Sequence, residues 1–162
     1  MQDGIFSYAL LAILAIGLLI AAFTDLRSRQ IGNKLNAAIA IGAPFFWFAT
    51  GFSLGEVGIQ LALAAGAFVV LAGLFALGAM GGGDVKLLTA LALWVKPFWF
   101  LKLLVIMAIA GGILTLVFGA WHVMRRRKHK IAIPYGVAIS FASLWVLAND
   151  CFPAIQSGAL NG

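Results

Sequence analysis

Residues 78–95 read GAMGGGDVKLLTALALWV, and the fold turns on whether this stretch crosses a bilayer or only dips into it. Its first half, Gly78 to Lys86, places an acid, a nearby base and four glycines between segments that otherwise read as membrane helix. Its second half, Val85 to Val95, is apolar but short, since eleven helical residues rise only about 16 Å against a hydrocarbon core of roughly 30 Å. A carboxylate in or beside hydrocarbon is costly without a partner or a wet cavity. Glycine in turn gives up more backbone freedom on ordering than any other residue. Both costs are concentrated around Asp84, so the rest of the chain reads as a frame for that carboxylate.

Composition settles the class of that frame. Of 162 residues, 64% are hydrophobic and only 10% charged, with a mean hydropathy of +1.08. That excludes a soluble domain whose polar side chains cover its surface. The expectation is an all-α integral membrane protein, with residues 1–162 forming a single polytopic domain and no room for a separate soluble one. The formal charge of +6 is read through its distribution between loops, as a matter of topology rather than nucleic-acid binding. The single cysteine, Cys151, allows no internal disulfide and no cysteine-based metal cage.

Outward from the glycine turn, the apolar runs fall in order. Ile5 to Phe23 has the length of a span and is preceded by Asp3 and by no Lys or Arg, unlike the basic start of a secretory signal. Thr24 to Lys34 is the first dense polar stretch and reads as a surface loop. Leu35 to Gly51 is a second span, and Gly51 to Gly58 a short turn whose one charge is Glu56. Val57 to Leu77 is a third, with Ala64, Ala65, Gly66 and Gly73 of the kind that lets membrane helices approach closely. Leu101 to Val123 and Ile131 to Phe152 are two more, separated by MRRRKHK at Met124 to Lys130.

Basic residues concentrate in cytoplasmic loops, and this decides the short segment. If Val85 to Val95 crosses, Arg27, Arg29, Lys34, Lys86 and the run Arg125 to Lys130 share one side, leaving only Lys96 and Lys102 near the other. If it does not cross, the basic run moves opposite the first loop and the asymmetry collapses. Six spans with both termini outside are therefore expected. Local thinning, Lys96 and Lys102 snorkelling outward, or a helix continuing past Pro97 can absorb the missing length.

The same topology sorts the five acids. Asp3, Glu56 and Asp150 fall outside, whereas Asp25 closes the first span and Asp84 opens the fourth, both at the cytoplasmic face. Packing those two helices side by side brings the carboxylates together. Two such groups within hydrogen-bonding distance share a proton and titrate as a pair. The ionised member can take a proton from water as it attacks a peptide carbonyl, while the protonated member hydrogen-bonds the carbonyl oxygen. Such chemistry calls for no metal and no cofactor. Gly81, Gly82 and Gly83 leave the backbone open to an extended peptide, and Lys86 reads as a marker of the membrane interface.

These residues carry a family resemblance. Gly81-Gly82-Gly83-Asp84 resembles the GxGD signature of intramembrane aspartyl proteases, and with Val85 and Lys86 it is similar to the GxGDxK form of type IV prepilin peptidases. Asp25, followed by Arg27, Ile31 and Asn33, resembles that family's first catalytic segment, with Gly32 where the family usually has proline. Pro134-Tyr135-Gly136 is similar to a Pro-aromatic-Gly element entering the family's last span. The resemblance implies an aspartic endopeptidase of the bacterial cytoplasmic membrane that removes a short basic leader from a prepilin on the cytoplasmic side of its apolar helix. Catalysis falls to Asp25 and Asp84, with Gly81, Gly82, Gly83, Lys86, Asn33, Pro134 and Gly136 shaping the backbone or binding substrate. The larger members' cysteine-bearing loop is missing between the spans, so the chain looks like the short form associated with Flp (Tad) pili, and methylation of the new amino terminus is not implied. Pilus-assembly machinery is a further implied partner.

Plainer readings stand beside these. Arg125 to Lys130 suits a topology determinant in contact with anionic lipid headgroups better than a substrate site, since it would repel a basic leader. His122 and His129 flank that run with no spacing that suggests a metal, and the five tryptophans suit interfacial anchors or helix packing. Two acids in a membrane chain also suit a small cation or proton transporter, although both lie on one side and no polar path leads to the other. A third alternative is an idle scaffold for pilus assembly.

Overall fold

The structure is a computed structural model that describes residues 2–124 and 135–157, with side chains for 4–117 and 135–157. Six principal helices run alternately between two ends of one bundle: α1 (Gln2–Ser28), α2 (Asn33–Thr50), α3 (Leu54–Ala76), α4 (Gly82–Ala92), α5 (Pro97–Met124) and α6 (Tyr135–Val146). A π-helical turn, Leu147–Cys151, leads from α6 into a short α7, Phe152–Ser157. No strand occurs among the described residues. Four helical segments are long and apolar enough to cross a bilayer: Gly4–Ser28, Leu54–Ala76, Pro97–Val117 and Tyr135–Ser157. Their outer faces carry large exposed apolar side chains such as Phe48, Leu77, Phe98 and Leu116. This is an all-α membrane protein, in which lipid covers what water would cover elsewhere.

The short α4 lies at the centre. Val85, Leu87, Leu88, Ala90, Leu91 and Ala92 are all buried, so the helix is apolar nearly all round because protein surrounds it. α2, α3, α5 and α6 pack on it, and α1 packs across α2 and α6. Asp25, Asn36, Gly83 and Gly136 mark one end of the bundle. The paired charges Glu56 with Lys96 and Lys102 with Asp150 mark the other.

The brevity of α4 has a specific resolution. Helix ends leave carbonyls unpaired, and inside a bilayer water cannot serve them. Here the indole N–H of Trp47 donates to the Leu93 carbonyl at 2.8 Å, and the fully buried Gln60 amide donates to Val95 at 3.0 Å and to Leu93 at 3.4 Å. Trp94 folds back to donate its own N–H to Ile39 at 2.8 Å. The helix does not continue past Pro97. That residue instead opens α5, where its fixed φ and missing N–H suit a first turn.

Several boundaries differ from the sequence reading. The polar stretch Thr24 to Lys34 is mostly helix, since α1 runs on to Ser28 and α2 begins at Asn33. Asp25 and Arg27 therefore sit on a helical turn rather than in a loop. α3 begins at Leu54 because Ser53 and Glu56 form a reciprocal cap, the Ser53 N–H reaching Oε2 of Glu56 at 2.8 Å. Gly82 and Gly83 belong to α4, leaving Gly78 at φ +72 to make the turn after α3. Pro134 and Arg125 to Lys130 lie outside the described residues.

Candidate active site

Asp25 occupies the last full turn of α1, where an anion faces the negative end of its own helix dipole. The compensation comes from α6. Oδ2 of Asp25 accepts the Gly136 N–H at 2.8 Å, and the Val137 N–H also reaches the carboxylate. The positive end of one helix thus offsets the negative end of another, and Asp25 is held 6% exposed. This arrangement requires glycine at 136, because a methyl group there would come within 2.8 Å of Asp25 Cγ and Oδ2.

Asp84 is held by the same principle within its own helix. Gly81 caps α4 in an extended conformation, which makes Asp84 its third residue, and the carboxylate turns back to accept the Gly81 N–H. A methyl at Gly81 would lie 2.9 Å from Asp84 Oδ2. Asp84 is half-buried and interacts electrostatically with Asp25. Two carboxylates from distant parts of the chain therefore lie within electrostatic reach of each other at one end of the bundle, each seated on a helix N-terminus.

Ile31 packs beside both, against Gly83 of the turn that carries Asp84 and Gly136 of the turn that holds Asp25. The chain leaves α1 through Arg29, at φ +53, whose N–H closes on the Asp25 carbonyl at 2.8 Å. This turn tucks Ile31 inward, 7% exposed. Its side chain lies where a methyl on Gly83 would come within 3.3 Å and one on Gly136 within 2.9 Å. The space beside Gly82 is taken by the ring of Phe75 at 3.3 Å, whereas Gly81 is exposed. Lys86 donates to Oδ1 of Asn33 at 2.8 Å, which joins the first turns of α2 and α4 away from the two carboxylates.

Asn36 is the residue that sequence reasoning missed. Buried at 4% exposure, it donates its amide to the Gly83 carbonyl at 3.2 Å and so ties α2 to the turn that carries Asp84. Its signal was a second asparagine one turn after Asn33, a polar group on the same face of an otherwise apolar helix. No group of three or more potential metal ligands occurs among the described residues.

A family model, the type IV leader peptidase family, matches residues 12–116, a span that includes both Asp25 and Asp84 and well over half of the chain. The chain belongs to the type IV leader peptidase family. Comparison with curated proteins and with solved structures returned no match. Membership makes this a membrane peptidase at the level of the family, with a prepilin as its class of substrate. The match ends before Gly136, which the sequence itself marks as a site residue, and the structure adds its contact with Asp25 at the N-terminus of α6.

Proposed function

We propose that this leader peptidase is an aspartic endopeptidase in which Asp25 and Asp84 form the catalytic pair, cutting the leader from a Flp-like prepilin. The observation that carries the reading is their convergence, from the end of α1 and the start of α4, onto two helix N-termini. A facing pair of carboxyl groups holds one proton between them. The ionised member accepts a proton from water as the water oxygen bonds to the scissile carbonyl carbon, and the protonated member donates to the carbonyl oxygen. Collapse of the tetrahedral adduct returns that proton, breaks the C–N bond and protonates the leaving amine. The pair ends with one proton, as it began.

Six crossings follow from the alternating helices together with the sidedness of Arg27, Arg29, Lys34 and Lys86, with both termini outside and the carboxylates at the cytoplasmic face of the bacterial inner membrane. The basic run Arg125 to Lys130 would then meet anionic headgroups on that face. The chain is a single catalytic domain of the short form, with cleavage and no methylation assigned to it. Co-expression of a prepilin with wild type, Asp25→Asn and Asp84→Asn tests the assignment by the size shift of the precursor. Both variants should accumulate in the membrane and leave the precursor intact. Near wild-type cleavage by either would remove the pair from the mechanism.

A further inference from the structure

A groove of about 350 Å³ opens between α2 and α3 with α4 as its floor. Its walls are Asn36, Ala37 and Ala40 from α2, Phe68 from α3, Thr89 from α4 and Leu93 just past the end of α4. The volume is that of a ligand pocket rather than a packing defect. Three features separate it from the other clefts. It begins at the hydrogen-bonded pair Asn33 and Lys86, two residues beyond Asp84. The small side chains of Ala37 and Ala40 leave its α2 wall low. One of its lining groups is also unpaired: Oδ1 of Asn36 is buried without a hydrogen-bond partner, although the other arm of the same amide is engaged with Gly83. A buried acceptor left unmade costs on the order of 1–3 kcal/mol, which a ligand donor would recover.

Resting on the peptidase reading, we propose that this groove is the subsite for the apolar segment of the substrate next to the cleaved bond, and that Asn36 accepts a main-chain N–H from it. Cleavage needs an extended peptide, and an unwound segment exposes both an N–H and a carbonyl at each residue. Asn36 Oδ1 offers the acceptor, and the Lys86 ammonium, with only one donor spent on Asn33, offers the complementary donor. A lipid acyl chain fits less well, since it would fill the apolar walls but present no donor to the unpaired acceptor and no acceptor to Lys86. From the groove the chain would cross the exposed N-terminal turn of α4 at Gly81 to reach Asp84 on its other face.

The test is prepilin cleavage kinetics for wild type, Ala40→Leu, which fills the groove from α2, and Gly66→Leu, which fills the cleft between α3 and α5. A benzophenone amino acid in place of Ala37, in the Asp84→Asn background, reports what occupies the groove. Ala40→Leu should raise KM roughly 10-fold or more with kcat retained, Gly66→Leu should match wild type, and the crosslink should fall on the apolar segment of the precursor. An unchanged KM for Ala40→Leu, a loss confined to kcat, or a crosslink to lipid alone overturns the assignment. Failure of wild type to cleave at all overturns instead the peptidase reading beneath it.

Discussion

Replacing Gly136 with alanine isolates the contact between α6 and Asp25. The added methyl would lie 2.8 Å from Cγ and Oδ2 of Asp25 and 2.9 Å from Cδ1 of Ile31, where ordinary contact begins at 3.4 Å. The shortfall at the carboxylate is 3.4 − 2.8 = 0.6 Å. Backbone on one side and a buried helix on the other leave the carboxylate as the group that yields. A displacement near 1 Å of a catalytic group can cost about 10²-fold, so a shift of this size should lower kcat about 10- to 100-fold, or roughly 1.4–2.7 kcal/mol in the barrier. Overpacking should add about 1–3 kcal/mol of destabilisation. The assay is the rate of precursor cleavage at saturating substrate, normalised to folded protein, with Gly112→Ala as reference because nothing lies within 4 Å of that position. Adding Ile31→Val separates the two clashes, since it removes Cδ1 but leaves the carboxylate in place. Wild-type kcat in Gly136→Ala, or full rescue by Ile31→Val, would refute the claim that Asp25 is positioned by this approach.

Two predictions concern stability at the opposite end. Gln60→Leu keeps the volume but deprives the Val95 carbonyl of its donor, and thermal unfolding in detergent should show a loss of about 1–3 kcal/mol; an unchanged melting temperature would mean that the cap on α4 is dispensable. Lys102→Ala leaves Asp150, bonded through both oxygens at 2.8 and 2.9 Å and with a side chain 17% exposed, without its cation. It should cost more, about 1–3 kcal/mol, than Lys96→Ala, whose partner Glu56 stands 3.9 Å away in a more open pair worth about 0–1 kcal/mol, and equal melting shifts would reject that ordering.

What was legible in the chain follows from which forces act locally. The helical class, the order of the apolar segments and the placement of Asp25 and Asp84 at one end all rest on composition, run length and the distribution of Lys and Arg, and these are written along the sequence. Helix ends were less legible, because polarity marks where solvent begins and not where hydrogen bonding stops. α1 carries Asp25 and Arg27 in helix beyond its apolar run for that reason. Contacts between distant residues were least legible of all. The bond from Gly136 to Asp25 joins positions 111 apart, and Gln60 looks like any polar residue in an apolar helix until Val95 is placed against it. Asn36 shared that fate. Its polarity stands out within α2, one turn after Asn33, but the partner that gives it a role is a carbonyl of α4, 47 positions away.

Ile31 carries a consequence for the chemistry. The gap between the turn bearing Asp84 and the helix end holding Asp25 is filled by one aliphatic side chain wedged against two glycines. Spacing kept by such a wedge obeys the steep, short-range law of atoms in contact, with no charge in it. In the proposed mechanism protons move on and off Asp25 and Asp84 in every turnover, and ionic strength varies at the membrane face, yet neither reaches the shim that sets the spacing of the two turns.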